Sequence, residues 1–159
     1  MTIKPFTFSL ERMREYKTQV LESEKNLLMT LHKRLFEIEE QIRVCQEFRR
    51  IKQEEMRQRQ EFGSTMRELE ECRFYLTNTN CQLEDLDEAR LLAAHAVELQ
   101  RLVVLQASQD VSSLDKLEER QLEEYHFLEA RDNEKTIQEH VITQLVYTQE
   151  IKGVDSPIL

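Results

Sequence analysis

The sequence predicts an all-α protein, a long antiparallel two-helix coiled-coil hairpin, and three observations carry that prediction. The 159 residues hold only two Gly and two Pro, and a third of them are charged, so little punctuation is left for loops or a strand-rich fold. Glu, Gln, Arg and Leu, all good helix formers, fill the chain with few β-branched runs to compete. Apolar residues then repeat every seven positions in two separate stretches, as they do in two helices that face each other.

Residues 1–8 read as an extended N-terminus, because Pro5 lacks an amide hydrogen and cannot sit inside a helix. Helix one is predicted over 9–62 with Ser9 as its cap, which at the standard rise is about 80 Å. Its seam has one set of positions at Leu21, Leu28, Leu35 and Ile42 and a second at Leu10, Leu31, Ile38 and Cys45. Lys17, Glu24, Arg49 and Lys52 interrupt the same positions and weaken the seam at both ends. The helix stops at Gly63, preceded by a run of cations suited to a helix C-terminus.

Residues 63–82 read as the turn segment. Thr65 followed by Glu68 fits a capping box, while Thr77 to Asn80 is a run of four short polar side chains that compete for backbone hydrogen bonds. Met66 to Leu76 is therefore expected as a separate short helix, and the turn can lie near residue 63 or near residue 78. Helix two covers 83–152, ended by Gly153, with 153–159 a flexible tail. Leu83, Leu86, Ala93, Val97, Val104, Ala107, Val111, Leu114, Tyr125 and Leu128 keep one heptad frame on it.

With the turn near 63, antiparallel pairing sets Leu91 to Leu105 opposite Glu22 to Phe36 and leaves the end of helix two without a partner. That end carries an apolar stripe of Ile137, Val141, Ile142, Leu145 and Val146, related by three- and four-residue steps, with Ile151 five residues further on. Something outside the chain is expected to cover it.

The formal charge of −9, from 31 acids and 22 bases, argues against a nucleic-acid or membrane-surface partner. No stretch approaches a membrane span, and the N-terminus lacks the apolar core of a signal peptide, so a soluble cytoplasmic protein is expected. Cys45, Cys72 and Cys81 lack paired spacing and read as small helix-face residues. Glu123 and His126 have the spacing of half a di-iron site, but no second such pair exists, and His32, His95 and His140 have no ligand spacing. Two glycines cannot make a phosphate loop. No enzyme activity, metal, cofactor or small-molecule substrate is expected.

Two motifs carry a resemblance. The opening run Phe6-Thr7-Phe8-Ser9-Leu10-Glu11-Arg12-Met13-Arg14-Glu15-Tyr16-Lys17 and the run Leu114-Asp115-Lys116-Leu117-Glu118-Glu119-Arg120-Gln121-Leu122-Glu123-Glu124-Tyr125 resemble the two signatures of the bacterial flagellar export protein FliJ family. Their order and separation match as well, so the resemblance spans residues 6 to about 147.

The resemblance implies a two-helix stalk, similar to the central stalk of rotary ATP synthases, that inserts into the hexameric ring of the export ATPase FliI. It also implies binding to the membrane export gate protein FlhA and escort of export chaperones at the inner face of the cell membrane, by a chain that is a monomer alone. The ring-facing residues implied are Phe6, Phe8 and Leu10 with Ile137, Val141, Ile142, Leu145 and Val146. The gate-facing residues are Gln41, Cys45, Phe48, Tyr75 and Leu86, whereas Lys52 and Thr79 depart from the family's usual aromatic or aliphatic types. The competing readings are the equivalent stalk of a virulence type III secretion system and a homodimeric coiled-coil scaffold with no ATPase partner.

Overall fold

The structure, a computed structural model, describes residues 4–154; the first three residues of the expected extended N-terminus and residues 155–159 of the expected tail lie outside it. It is an all-α helical hairpin of two elements, α1 (Glu11–Phe62, 52 residues) and α2 (Met66–Val154, 89 residues). Contacts divide the chain into one unit of Met1–Tyr16 with Asp110–Leu159 and another of Lys17–Gln109.

In the Lys17–Gln109 unit the reversal of direction takes three residues. Gly63 has φ +86°, the left-handed conformation that ends a helix and that an L side chain resists. Thr65 then caps α2, its hydroxyl accepting from the Glu68 N–H at 3.3 Å and its carbonyl from the Leu69 N–H at 3.2 Å. The Glu68 carboxylate takes the Ser64 hydroxyl at 2.5 Å, and that bond, aided by the backbone of Thr65, holds it below the usual carboxylate range. The capping box is thus present with Ser64 as the outer partner.

The break expected at Thr77 to Asn80 does not occur, and α2 runs unbroken through it from Met66. The Thr79 hydroxyl donates to its own helix, to the Tyr75 carbonyl at 2.7 Å, so it does not compete with the helical N–H groups. Its side chain is only 3 % exposed, seated at a seam position three residues after Leu76 and four before Leu83. Packing at heptad spacing overrides the weak local propensity. The expected short helix is therefore the first turns of α2, and the turn lies at 63–65.

The seam positions of α1 from Lys17 to Met56 are all buried or half-buried, as are those of α2 from Leu69 to Ala107. Full burial is rare, limited in this unit to Leu21, Ile38, Cys72, Thr79, Val97, Gln100 and Ala107, because each of two paired helices can cover only one stripe of the other. The four charged interruptions are accommodated by polar partners. Glu24 meets Gln100, Arg49 donates to Asn80 at 3.4 Å, Lys52 binds Glu55 at 3.0 Å, and Lys17 too is engaged.

In the other unit, residues 4–10 form an irregular arm before α1 begins. The first helical bond runs from the Arg14 N–H to the Leu10 carbonyl at 2.9 Å, which puts the cap position at Leu10, one residue beyond the expected Ser9. The arm is held by its aromatic residues. Phe8 is buried beneath the Arg14 guanidinium, 5.4 Å from its ring centre, and the Phe6 ring lies 5.6 Å from that of Tyr125. Arg14 pairs in turn with Glu11, Glu118 and Asp115. Leu128, expected on the seam, is exposed.

Candidate functional site: exposed partner-binding surfaces

The first surface is the end of α2 in the Met1–Tyr16 with Asp110–Leu159 unit. From Asn133 to Gly153 every side chain is exposed. Ile137, Val141, Ile142, Leu145, Val146 and Ile151 all stand at 48–64 % exposure, so nothing among the described residues covers the stripe. At 3.6 residues per turn these positions spread over about 220° of the helix circumference, wider than the single seam a paired helix uses. The rest of the surface is satisfied locally. Thr136, Thr143 and Thr148 each return their hydroxyl to a carbonyl four residues back.

The other residues expected to face a ring are placed differently. Phe8, at 8 % exposure, has almost no surface to offer, and Phe6 and Leu10 are half-buried. Phe8 is a correction to the expectation: it packs beneath Arg14 of α1 while Phe6 meets Tyr125 of α2, and together they fasten the arm, because a short irregular segment needs buried aromatic area to offset its ordering.

The second surface lies in the Lys17–Gln109 unit toward the turn. Phe48 and Tyr75 are brought together by Lys52, whose ammonium sits 5.6 Å and 5.4 Å from the two ring centres. Both rings remain well exposed. Lys52, which departs from the expected residue type at its position, is therefore the element that joins them. Gln41, Cys45 and Leu86 line an adjacent groove of about 560 Å³ together with Val44 and Gln82, with Glu40 and Asp85 at its edges. The Cys45 thiol donates weakly to the Gln82 side-chain oxygen at 3.9 Å. Sequence reading passed over Val44, although it lies three residues from Gln41 and four from Phe48 on the same face.

Among the described residues no group of His, Cys, Asp and Glu is placed to hold a metal ion, and no helix is long and apolar enough to cross a membrane. What both surfaces offer chemically is apolar area on a helical frame, suited to recognition of another protein. In comparisons with known proteins, no family model, no curated protein and no solved structure matches the chain.

Proposed function

We propose that this chain is a flagellar type III protein export component that acts as the central stalk of the hexameric ring of the export ATPase FliI, promotes assembly of the hexamer, couples it to the export gate protein FlhA, and escorts export chaperones. The carrying observation is the uncovered apolar face from Ile137 to Ile151 at the end of α2. Its breadth suits an enclosing socket, in which a single helix is contacted from several sides, better than a single paired helix. The two terminal motifs and the hairpin fold agree with that reading.

In this reading the ATP chemistry belongs to the partner. A single asymmetric helix inside a six-fold ring cannot make six equal contacts, so it favours one arrangement of subunits at a time and links turnover to a directional change. The Phe48–Lys52–Tyr75 cluster and the neighbouring groove would meet the gate protein. The deciding experiment is ATPase turnover of the purified ring with and without this chain. Stimulation with a rise in hexamer content is the expected result, and unchanged turnover at saturating chain would remove the proposal.

A further inference from the structure

Segment 89–103 of α2 carries a second apolar seam beside the one that meets α1. Ala89, Leu92, Ala96, Leu99 and Val103 follow one another at three- and four-residue steps, the spacing of side chains that face a neighbouring helix. The positions already used against α1 are different ones, Ala93, Val97, Gln100 and Val104. Leu92 is 74 % exposed and Leu99 52 %. A groove of about 230 Å³, lined by Leu31 and Arg34 of α1 and by Ala89, Leu92, Ala93 and Ala96 of α2, opens on this flank. Alanine at every other step lets a helix backbone approach closely, with room between for larger side chains. Nearer the turn the opposite flank carries a more polar groove, where Gln46, Arg49, Asn80, Glu84 and Asp87 surround Ile42 and Leu83, and level with 89–103 it exposes Leu91 and Phe36.

Charge is distributed unevenly along this flank. The register fixed by Glu24 with Gln100 and by Cys45 with Gln82 brings Glu37 and Glu40 level with Glu88 and Asp85. Four acidic residues thus stand level with the end of the seam nearer the turn. Glu40 is paired with Arg43, while Glu37, Asp85 and Glu88 make no ion pair among the described residues. Lys33 and the groove-lining Arg34, one turn away, offset part of the charge of the three that remain, and the other end of the seam runs out in the uncharged stretch Val104 to Gln109.

We infer that this flank docks one amphipathic helix of another protein, about four turns long, with a Leu-rich stripe and Lys or Arg in its N-terminal turn. Both its basic side chains and the positive end of its dipole then face the carboxylates. A second copy of this chain fits less well, because its own seam ends in Val104 to Gln109 and brings no cation to them. The surface lies in the Lys17–Gln109 unit and shares Glu40 and Asp85 with the groove beside Cys45, and its test uses neither the ATPase ring nor the gate protein.

The test uses the intact protein and two labelled synthetic helices of 18 residues, alike in their Leu stripe but with three Lys in the first turn of one and in the last turn of the other. Fluorescence anisotropy is expected to show the first binding at least about five-fold more tightly, a preference abolished by Glu37→Gln with Glu88→Gln. Leu92→Glu with Leu99→Glu should weaken binding by about ten-fold or more, whereas Phe36→Glu, on the opposite flank, should change it by less than about two-fold. Ala96→Trp provides a second block should circular dichroism show the double variant unfolded. Equal affinity for the two peptides, or equal loss in the Phe36 variant, overturns the proposal. So does a dimer in sedimentation that Leu92→Glu with Leu99→Glu dissolves, since the second copy would then be the occupant.

Discussion

The side-chain amide of Gln100 donates to Glu24 twice, to its backbone carbonyl at 3.1 Å and to its carboxylate, across 76 positions of sequence. Apolar seams tolerate sliding by a heptad, since Leu can replace Leu in the next hole, but a buried amide cannot slide without losing its partner. Gln100→Ala is expected to cost about 1 to 2 kcal/mol. A double-mutant cycle with Glu24→Ala, followed by urea denaturation, should return a coupling of about 1 kcal/mol. Strict additivity of the two changes would remove the Glu24 carboxylate from the register device and leave the bond to its backbone carbonyl, which Glu24→Ala retains.

The end of α2 gives the opposite expectation. Val141→Asp with Leu145→Asp changes only exposed side chains, so the thermal unfolding of the hairpin should move by no more than the equivalent of about 0.5 kcal/mol. If the chain acts as the proposed ATPase stalk, stimulation of the ring should fall sharply, because two aliphatic side chains buried in a partner contribute roughly 1.5 to 3 kcal/mol each. Full stimulation by the folded double variant would take the stripe out of the mechanism.

Phe48→Ala with Tyr75→Ala should leave helicity nearly unchanged, since both rings are well exposed and the seam beside them is intact. On the proposed reading, the loss is expected in pull-down of the gate protein. A collapse of the melting transition would show instead that the Lys52 clamp holds the hairpin together near its turn.

Phe8→Ala is expected to loosen one region only. The arm has Phe8, Phe6 and the Arg14 ion pairs as its fastenings, and the Lys17–Gln109 unit has its own turn and seam. Hydrogen exchange should accelerate over Glu11 to Tyr16 and stay unchanged around Ile38 and Val97. Uniform acceleration across both regions would contradict it.

Glu68 makes a pH-dependent contribution to the turn. Its folded pKa is held below the unfolded value of about 4.5 by the Ser64 hydroxyl and the Thr65 backbone, so the contribution is present above that value and fades as pH falls through the folded pKa. Replacing Glu68 by Gln should remove that part of the acid dependence in stability measured between pH 7 and 2. Thr65→Ala, which deletes the cap itself, should cost about 1 kcal/mol at every pH.

The sequence was informative where one physical rule dominated. Leu21, Leu28, Leu35 and Ile42 fall on the seam because burial fixes heptad spacing, and Gly63 marks the turn because few other residues accept its backbone angle. Thr79 misled because local propensity disfavours a helix there, while the deciding force is its fit against a helix distant in sequence. Gln100 was passed over because a polar residue carries no hydrophobic signal, although its place in the heptad frame marks it. The arm's fastening was hidden too, since no local pattern relates Phe6 to Tyr125.

The three-residue reversal at Gly63 to Thr65 also constrains how such a chain can change in length. One residue inserted within either helix would turn everything beyond it by about 100° about the axis and move its seam off the facing helix, and a connection of three residues gives little slack to absorb the error. Viable variants of the Lys17–Gln109 unit should therefore differ by matched blocks of about seven residues in both arms, so that phase is kept on each side. Such a hairpin can change its reach by whole paired heptads, or by growth at the far end of α2, where among the described residues no facing helix keeps count.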